Sequence, residues 1–378
     1  MMQDVFIVSD NILSPIGLTT VENFEKLKAG VSGIQKHHDV SKADESFYAS
    51  LFDQNFDLKI EEGDKYTRFE QLLIASVKDA LQNSGVNAND QKTVLIVSST
   101  KGNISLLETE DNTADVQNRI SMPSSAKLVA EYFGFVNQPV VVSNACISGI
   151  MAILTGMRLI QSGKYENAVV VGADVITKFV LSGFQAFQAI SSQPCKPFDK
   201  SRDGITLGDG AATIILSSKQ QNIDDIKVLG GAVSNDANHI SAPSRTGEEL
   251  GYAIKKSLAQ AQLSAADIGF ISAHGTATDY NDEMEAKAIM LAGLQTAPVN
   301  SLKAYYGHTL GAAGLIESII SIQSLKENVI IPTLGYEETG VSSPINICTS
   351  LLPGNFKNCL KTASGFGGCN AAVVFGKS

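Results

Sequence analysis

The chain has 378 residues, of which 44% are hydrophobic, and it carries a formal net charge of −10. The apolar fraction allows a large core, and the length corresponds to one large domain or to two or three smaller ones. The acidic balance argues against a general binder of nucleic acid or of anionic membranes.

Cysteine usage and the N-terminus indicate the cellular compartment. The 5 cysteines are odd in number and show no CxxC spacing, so we expect a reducing cytoplasm, no disulfide framework and no zinc site. The opening residues MMQDVFIVSDNILSPIG lack the basic and long apolar regions of a signal peptide. The longest apolar helical pattern, 150–160, is too short to span a bilayer. We therefore expect a cytoplasmic protein that does not enter a membrane.

Strand and helix patterns alternate along most of the chain. Strands are predicted over 93–98, 139–143, 167–172, 211–216, 268–272 and 371–375. Helices are predicted over 68–84, 146–162, 249–262, 282–292 and 310–326. Such alternation is typical of layered α/β folds.

The order of these elements repeats. Segments 77–90 and 254–267 share a helix-and-break pattern, and each precedes a strand. Further on, Ile160-Gln161-Ser162 matches Ile322-Gln323-Ser324, and the offset of 322 − 160 = 162 residues carries Cys146 onto His308. If the two copies pack with two-fold pseudosymmetry, both helix starts face one site. We therefore predict two duplicated halves, 1–220 and 221–378.

A cysteine lies where a predicted strand gives way to a predicted helix, in PVVVSNACISG. Unpaired N–H groups and a partial positive charge at a helix start stabilise a thiolate, which is the reactive form of cysteine. We therefore expect a lowered pKa at Cys146, with Ser148-Gly149 leaving room for a substrate carbonyl. The alternative interpretation is a small buried cysteine that only fills space, which is the commoner case.

Two histidines strengthen the functional interpretation. His274 follows an apolar strand, and His308 lies in a glycine-rich turn five residues after Lys303. Two histidines in these positions, opposite a cysteine in the other copy, form a candidate catalytic group. The glycine loop SGFGGCNA (364–371) precedes a strand and lacks the Lys-Ser/Thr of a phosphate loop, so we do not predict nucleotide binding.

Six segments together resemble one known family: NACISG, PCKPFDKSRDGITLGDGAA, SNDANHISAP, AHGTATDYNDEMEA, NSLKAYYGHTLGAAG and GFGGCNAA. They are similar to the β-ketoacyl-acyl-carrier-protein synthases, condensing enzymes of the thiolase superfamily, over nearly the whole chain. The resemblance implies a thiolase-like five-layered αβαβα fold built from two duplicated halves. It also implies an acyl carrier protein as partner, no cofactor beyond the carrier's phosphopantetheine, no metal, and a homodimer or a heterodimer with a related subunit.

The resemblance also implies a reaction and its catalytic residues. The reaction would be decarboxylative Claisen condensation of malonyl carrier protein with an acyl chain held as a thioester on Cys146. His274 and His308 would stabilise the charge that develops on the malonyl thioester oxygen. Lys303, paired with Glu285, would keep both histidines neutral, because a like charge lowers their pKa.

The remaining expected roles concern substrate binding. Phe366 would be a gating residue whose N–H forms an oxyanion hole with the N–H of Cys146. The residues expected to bind substrate are Thr276 and Thr278, which would hold the pantetheine arm, together with Glu285, Phe184, Gly365 and Gly367. Phe184 has the spacing of a core residue, although the family's acyl pocket lies nearby. Asp236 and His239 match a motif beside the site, so they are candidates for a gating loop.

Several positions depart from the family pattern. Cys369, Ala304 and Asp279 stand where Thr, Ser and Pro are usual, and Ser9-Asp10-Asn11 replaces a common G-x-G. None of these changes removes a catalytic group. They suggest a branch away from housekeeping fatty-acid elongation, toward polyketide, pigment or aryl-polyene chains.

Three other interpretations stay open. A biosynthetic thiolase would use a second cysteine, but Phe-Gly-Gly precedes Cys369 where thiolases have C-x-G-G-G. An initiating synthase would need Asn at the position of His274 or His308. A non-catalytic subunit that shapes chain length would lack the nucleophile, whereas Cys146 is present.

Overall fold

The structure is a computed structural model that describes residues 3–53, 56–237 and 243–378. Its strands are β1 (Phe6–Leu13), β2 (Gln35–His37), β3 (Phe47–Ser50), β4 (Thr93–Ser98), β5 (Val140–Val142), β6 (Asn167–Asp174), β7 (Leu207–Gly208), β8 (Gly210–Ser217), β9 (Ile226–Asn235), β10 (Phe270–Ser272), β11 (Pro298–Asn300), β12 (Val329–Ile330), β13 (Asn346–Ile347), β14 (Leu352–Pro353), β15 (Asn358–Gly365) and β16 (Cys369–Lys377). Its α-helices are α1 (Thr20–Lys28), α2 (Arg68–Gln82), α3 (Leu106–Thr109), α4 (Ala114–Arg119), α5 (Met122–Phe133), α6 (Ser148–Gln161), α7 (Lys178–Ala186), α8 (Glu248–Ala261), α9 (Asp279–Leu291), α10 (Lys303–Tyr306) and α11 (Ala313–Glu327).

The main sheet contains the same strand arrangement twice. Strands β5, β4, β6, β8 and β1 lie side by side in that order, and β11, β10, β15, β16 and β9 repeat it. In both sets the first three strands are parallel and the remaining pairs are antiparallel. A short antiparallel pairing of β1 with β9 joins the two sets. The strand order therefore shows the duplication that the sequence pattern predicted.

Five layers follow from which helices pack on which strands. Helices α6 and α11 share the central core with strands of both sets, and α11 is buried along nearly its whole length. A helix that is apolar on most of its faces requires packing partners all round, which the two sets of strands supply. Helices α2 and α5 cover the outer face of the first set, and α8 and α9 cover the second. The predicted αβαβα fold is confirmed.

The two central helices approach closely through a pair of glycines. A Cβ on Gly149 would lie 2.8 Å from the Leu315 nitrogen, and a Cβ on Gly314 would lie 2.9 Å from the Ile150 nitrogen. These reciprocal contacts relate the two copies by 314 − 149 = 165 residues. The predicted offset of 162 is thus wrong by three residues, because matching helix ends is a weak guide to register. The main inference survives, since both helix starts meet at one place.

Most predicted elements are present, with shifted ends. The predicted helix 146–162 begins at Ser148, which leaves Cys146 in the turn before it. Strands β1, β9 and β15 were missed because polar or small residues, such as Lys361, interrupt their apolar patterns. The loop between β8 and β9 contains the proposed boundary at 220/221. Among the described residues, no helix has both the length and the apolar character needed to cross a bilayer.

The glycine contact between α6 and α11 predicts a sensitive position. Because an alanine Cβ at 314 would press on backbone rather than on a flexible side chain, Gly314→Ala should destabilise the fold by about 1–3 kcal/mol. Gly183→Ala in α7 is the matched control, since a Cβ there meets nothing within 4 Å and alanine favours helix. Urea denaturation measures both changes; equal stability of the two variants would contradict the close packing.

Candidate active site

Cys146 is presented by a sharp turn between β5 and α6. Ala145 adopts a left-handed backbone with φ of 42°, which costs a non-glycine residue about 1–2 kcal/mol. The Ser148 hydroxyl holds the turn, since it accepts the Asn144 N–H at 2.8 Å and donates to the Ala145 carbonyl at 2.7 Å. The turn places Cys146 on the cavity beside the start of the helix. Nothing in the sequence pattern indicated the left-handed alanine.

The structure brings Cys146 together with His274 and His308. All three are buried, and their reactive S and N atoms lie within 4.8 Å of one another. The two imidazole rings meet edge to face, with centroids 5.2 Å apart. The backbone N–H of His308 donates to the Thr206 carbonyl at 2.7 Å, while neither ring nitrogen of His308 has a hydrogen-bond partner among the described residues. That imidazole is therefore free to act on a bound substrate.

Lys303 pairs with a different carboxylate from the one predicted. Its ammonium group contacts Glu317 of α11, and it donates to the His274 carbonyl at 3.0 Å. Its Nζ also lies 3.5 Å from His274 Nδ1. An ammonium group can only donate, so Nδ1 is the acceptor and the neutral imidazole carries its proton on Nε2. The predicted Lys303–Glu285 pair is wrong.

Glu285 has a structural task instead. Its carboxylate accepts the backbone N–H groups of His274 and Gly275, each at 2.8 Å, and the Thr362 hydroxyl at 2.6 Å. It is fully buried and is not among the residues that line the cavity. The prediction that Glu285 binds substrate is therefore wrong; its carboxylate fixes the turn that carries His274.

A second buried lysine was missed in the sequence. Lys361 of β15 forms an ion pair with the other oxygen of Glu317 at 2.7 Å. Its Nζ also donates to the carbonyls of Ser272 and Ala273, at 3.2 and 3.1 Å. The signal was available, since both charges interrupt apolar runs, Glu317 in GLIESIIS and Lys361 in CLKTAS. A charged side chain inside an apolar run is buried only with a partner of opposite charge, so the sequence indicated that Glu317 and Lys361 each have such a partner.

The surroundings keep both histidines uncharged. Burial holds the pKa of His274 and of His308 well below the usual value, and the positive charge of Lys303 lowers both further. Desolvation and a nearby like charge act in the same direction here. The predicted neutral state of the histidines agrees with these shifts, and each ring can therefore both donate and accept a proton.

The cysteine differs from its predicted state. Burial raises the pKa of Cys146 to about 12, and the neighbouring thiol of Cys369 acts in the same direction. Lys303 opposes this shift, but its charge is shared with Glu317. The predicted lowering of the pKa by the helix start is wrong, because Cys146 precedes the first helical residue by two positions and is withdrawn from water. The resting site holds a thiol.

A cavity of about 330 Å³ opens onto these groups. Thr276 and Thr278 line it, with their hydroxyl oxygens 2.9 Å apart. Phe366 is 41% exposed and its ring lies against those of Phe184 and Phe187, with centroids 5.6 and 5.3 Å away. All three phenylalanines line the cavity, so the core-like spacing of Phe184 was misleading.

The glycine loop turns tightly beside the cysteine. Gly365 pairs with Cys369 across the β15–β16 hairpin, which leaves Phe366 at the start of a three-residue loop. Gly367 has a φ of 86°, a left-handed conformation that favours glycine. A Cβ on Gly365 would lie 2.9 Å from the Cys146 nitrogen. Asp236 supports the loop, since its N–H donates to the Gly368 carbonyl at 2.7 Å. His239 lies outside the described residues.

Cys146, His274 and His308 also have the spacing of a metal-binding group. Thiolate and imidazole are ligands that zinc accepts. However, Lys303 and Lys361 both place positive charge near the histidines, which disfavours a bound cation. The same arrangement suits a neutral carbonyl compound that develops negative charge during reaction.

The state of the thiol can be measured by alkylation. Because the pKa of Cys146 is raised to about 12, its reaction with iodoacetamide should rise about tenfold per pH unit through pH 9 without a plateau. Peptide mass spectrometry follows Cys146 separately from the other cysteines, and Cys146→Ser is the control. A plateau with a midpoint between about pH 6 and 8 would show that the helix start stabilises a thiolate after all.

Models of one family match the chain in both halves. Residues 2–222 match the β-ketoacyl synthase N-terminal domain, and residues 226–337 match the β-ketoacyl synthase C-terminal domain. The 3-oxoacyl-[acyl-carrier-protein] synthase 2 of Vibrio cholerae is 29% identical over 408 aligned residues, which cover 98% of this chain and 98% of the relative.

Solved structures show the same relationship. The ishigamide ketosynthase/chain length factor is 25% identical with a TM-score of 0.90, and the match covers 100% of both chains. A ketosynthase in complex with its chain length factor from Xenorhabdus doucetiae is 25% identical with a TM-score of 0.89, covering 100% of this chain and 98% of that one. With the family models covering most of its length, the chain belongs to the β-ketoacyl synthase family, the acyltransferases that condense acyl chains on a thiolase-like fold.

Proposed function

We propose that the chain condenses malonyl carrier protein with an acyl chain held on Cys146. The observation that carries this assignment is the meeting of one thiol and two neutral imidazoles at a cavity of about 330 Å³. A thiol can hold the acyl group, and neutral imidazoles can donate hydrogen bonds to an oxyanion without carrying charge themselves. These three side chains carry the acyl transfer and the decarboxylation, and backbone N–H groups complete the site.

In the first step the acyl group moves from the carrier to the enzyme. The sulfur of Cys146 attacks the carrier thioester, a C–S bond forms to Cys146, and the C–S bond to the pantetheine breaks. The proton of the Cys146 thiol ends on the departing pantetheine sulfur. Because the thiol pKa is raised to about 12, this proton has to move as the bond forms, and the free ring nitrogens of His308 can relay it.

In the second step malonyl carrier protein loses CO₂. The C–C bond to the carboxylate breaks, and the electron pair moves onto the thioester oxygen as an enolate. Hydrogen bonds from His274 and His308 stabilise this charge, and one such donor is typically worth about 3 kcal/mol. The enolate carbon then attacks the acyl carbonyl, the C–S bond to Cys146 breaks, and the released thiolate takes one proton from solvent water.

The acyl carbonyl requires its own donors. We assign them to the backbone N–H groups of Cys146 and Phe366. The close approach of Gly365 to the Cys146 nitrogen supports this assignment, since a side chain at 365 would obstruct that amide. Thr276 and Thr278, at the cavity wall, are placed to hydrogen-bond the amide groups of the pantetheine arm.

The cavity and the relatives support a proposal for the acyl substrate and for the partners. Phe184, Phe187 and Phe366 offer aromatic surface to an apolar chain of the fatty-acid, polyketide or aryl-polyene type.

Two similar structures pair a ketosynthase with a chain length factor. We propose an acyl carrier protein as the donor, and a second related subunit, identical or not, against this chain. Native mass measurement of the purified chain distinguishes a monomer from a homodimer.

The competing assignment is a non-catalytic subunit that shapes chain length. Such a subunit has no need of a nucleophile, whereas here the nucleophile, both histidines and the ion pairs around them are complete. A biosynthetic thiolase would use Cys369 as a second acid–base group. That thiol lies against the Asn144 and Phe366 carbonyls, at 3.8 and 3.4 Å. Neither alternative explains more features of the site than the condensing-enzyme assignment does.

Intact-mass analysis tests the proposal. Wild-type protein mixed with a panel of acyl carrier proteins should gain one acyl mass, and malonyl carrier protein should then yield a carrier-bound β-keto product. Cys146→Ala should gain no acyl mass. Gly365→Ala should slow loading by about 100-fold or more, because loss of one oxyanion donor costs that much. Cys195→Ala, at a buried cysteine outside the cavity, is the matched control and should load normally.

Two results would contradict the proposal. Acyl loading that persists in Cys146→Ala would remove the nucleophile assignment. No acyl adduct with any donor, alone or with a candidate partner subunit, would favour the chain-length-shaping role.

A further inference from the structure

Two lysines and two glutamates surround the backbone that presents His274. Three consecutive carbonyls at the end of β10 accept from lysines: those of Ser272 and Ala273 from Lys361, and that of His274 from Lys303. The next two amides, of His274 and Gly275, donate to Glu285. Buried charged side chains thus hold three carbonyls and two amides of the backbone between residues 272 and 275.

Lys361 occupies a distinct place among these ions. It is fully buried, it does not line the cavity, and it shares Glu317 with Lys303, one carboxylate oxygen for each lysine. A carboxylate held on one side by Lys361 offers Lys303 a fixed partner on the other. The position of the Lys303 ammonium group, and with it the contact to His274 Nδ1, therefore depends on Lys361.

We propose that Lys361 is a positioning residue of the condensing site, which fixes Glu317 and the end of β10. The inference rests on the proposed function, because it assigns Lys361 a part in the decarboxylation step. Lys361 touches neither the cavity nor the thiol, so acyl loading on Cys146 needs it least.

Among the described residues, the two rings face each other and lie near Lys303, Lys361, Glu317, Glu285 and Cys146. Glu317 is already shared by both lysines, and Glu285 is committed to backbone amides and to Thr362. Removing Lys361 leaves Glu317 less compensated, and the balance around the imidazoles becomes more negative. Burial and Lys303 still hold the pKa of both histidines down, but that pKa rises to some extent because one of the cations that lower it is gone.

Neutral histidines are present above their pKa and are lost as pH falls through it. A raised histidine pKa therefore moves the acid limb of condensation to higher pH. Loading of Cys146 should respond less, because that step uses only the His308 ring, whereas condensation needs hydrogen bonds from both imidazoles.

Lys361→Gln is the decisive variant. Its amide can still donate to the carbonyls of Ser272 and Ala273, but it carries no charge. We expect condensation relative to wild type to fall by about threefold between pH 8 and pH 5, with acyl loading affected less. Lys361→Met removes the donors as well, so it should slow condensation about 10- to 100-fold at both pH values, as misplaced groups do.

Cys359→Ala is the matched control. Cys359 is buried two residues before Lys361, on the same face of β15, and it carries no charge. Its truncation disturbs packing under α11 without touching the ion pairs. The control should lower thermal stability and leave the pH profile of condensation in place. If Lys361→Met fails to fold, Lys361→Gln and the control still decide the matter.

Histidine NMR titration gives a readout that does not require activity. In Lys361→Gln the signals of His274 and His308 should titrate at higher pH than in wild type. Superimposable titrations and pH profiles in wild type and Lys361→Gln would overturn the inference. If wild type itself formed no β-keto product while the titration shifted as expected, the proposed function would fail and the electrostatic role of Lys361 would stand.

Discussion

Glu317 holds two buried lysines, and the geometry of the site depends on this bridge. Lys303 and Lys361 take one carboxylate oxygen each and turn their remaining donors toward the end of β10. Removing one member would leave a charge buried without its partner, which typically costs about 3–5 kcal/mol. The bridge is therefore poor evidence for extra stability but good evidence for a fixed arrangement. Its Lys303 contact gives His274 a defined tautomer, and burial together with the bridge keeps both imidazoles neutral beside a thiol of raised pKa.

The duplicated fold explains why these groups meet at all. Each half delivers a helix to the central layer, and the helices cross where Gly149 and Gly314 allow backbone contact. The turn before α6 supplies Cys146, and the turn before α11 supplies His308, so one crossing brings together a residue from each copy. His274 reaches the same place from the end of a parallel strand. Close packing of the two helices is thus also a condition for the spacing of the catalytic group.

The sequence was sufficient to predict the duplication, from a repeat, and the meeting of Cys146, His274 and His308, from motifs at element ends, whereas the five layers came only from the family resemblance. The sequence was insufficient to predict which charged side chains pair with one another across the core. Choosing Glu317 rather than Glu285 as the partner of Lys303 requires knowing which face of α11 meets α10. The predicted pKa of Cys146 was wrong for a similar reason. Burial raises this pKa by more than a helix start lowers it, and the sequence of a turn does not show how deeply the turn is buried. Lys361 could have been flagged as a charge inside an apolar strand, but its partner could not.

The central claim is that burial and the ion bridge together hold both site histidines neutral while the thiol stays protonated. Selective ¹³C labelling of the 5 histidines, followed by NMR titration of the wild-type protein from about pH 8 to pH 5, tests it most directly. We expect the signals of His274 and His308, assigned by single substitution, to remain those of neutral imidazole throughout, with His274 protonated on Nε2. Titration of either ring near pH 6.5, or an Nδ1-protonated His274, would contradict the account.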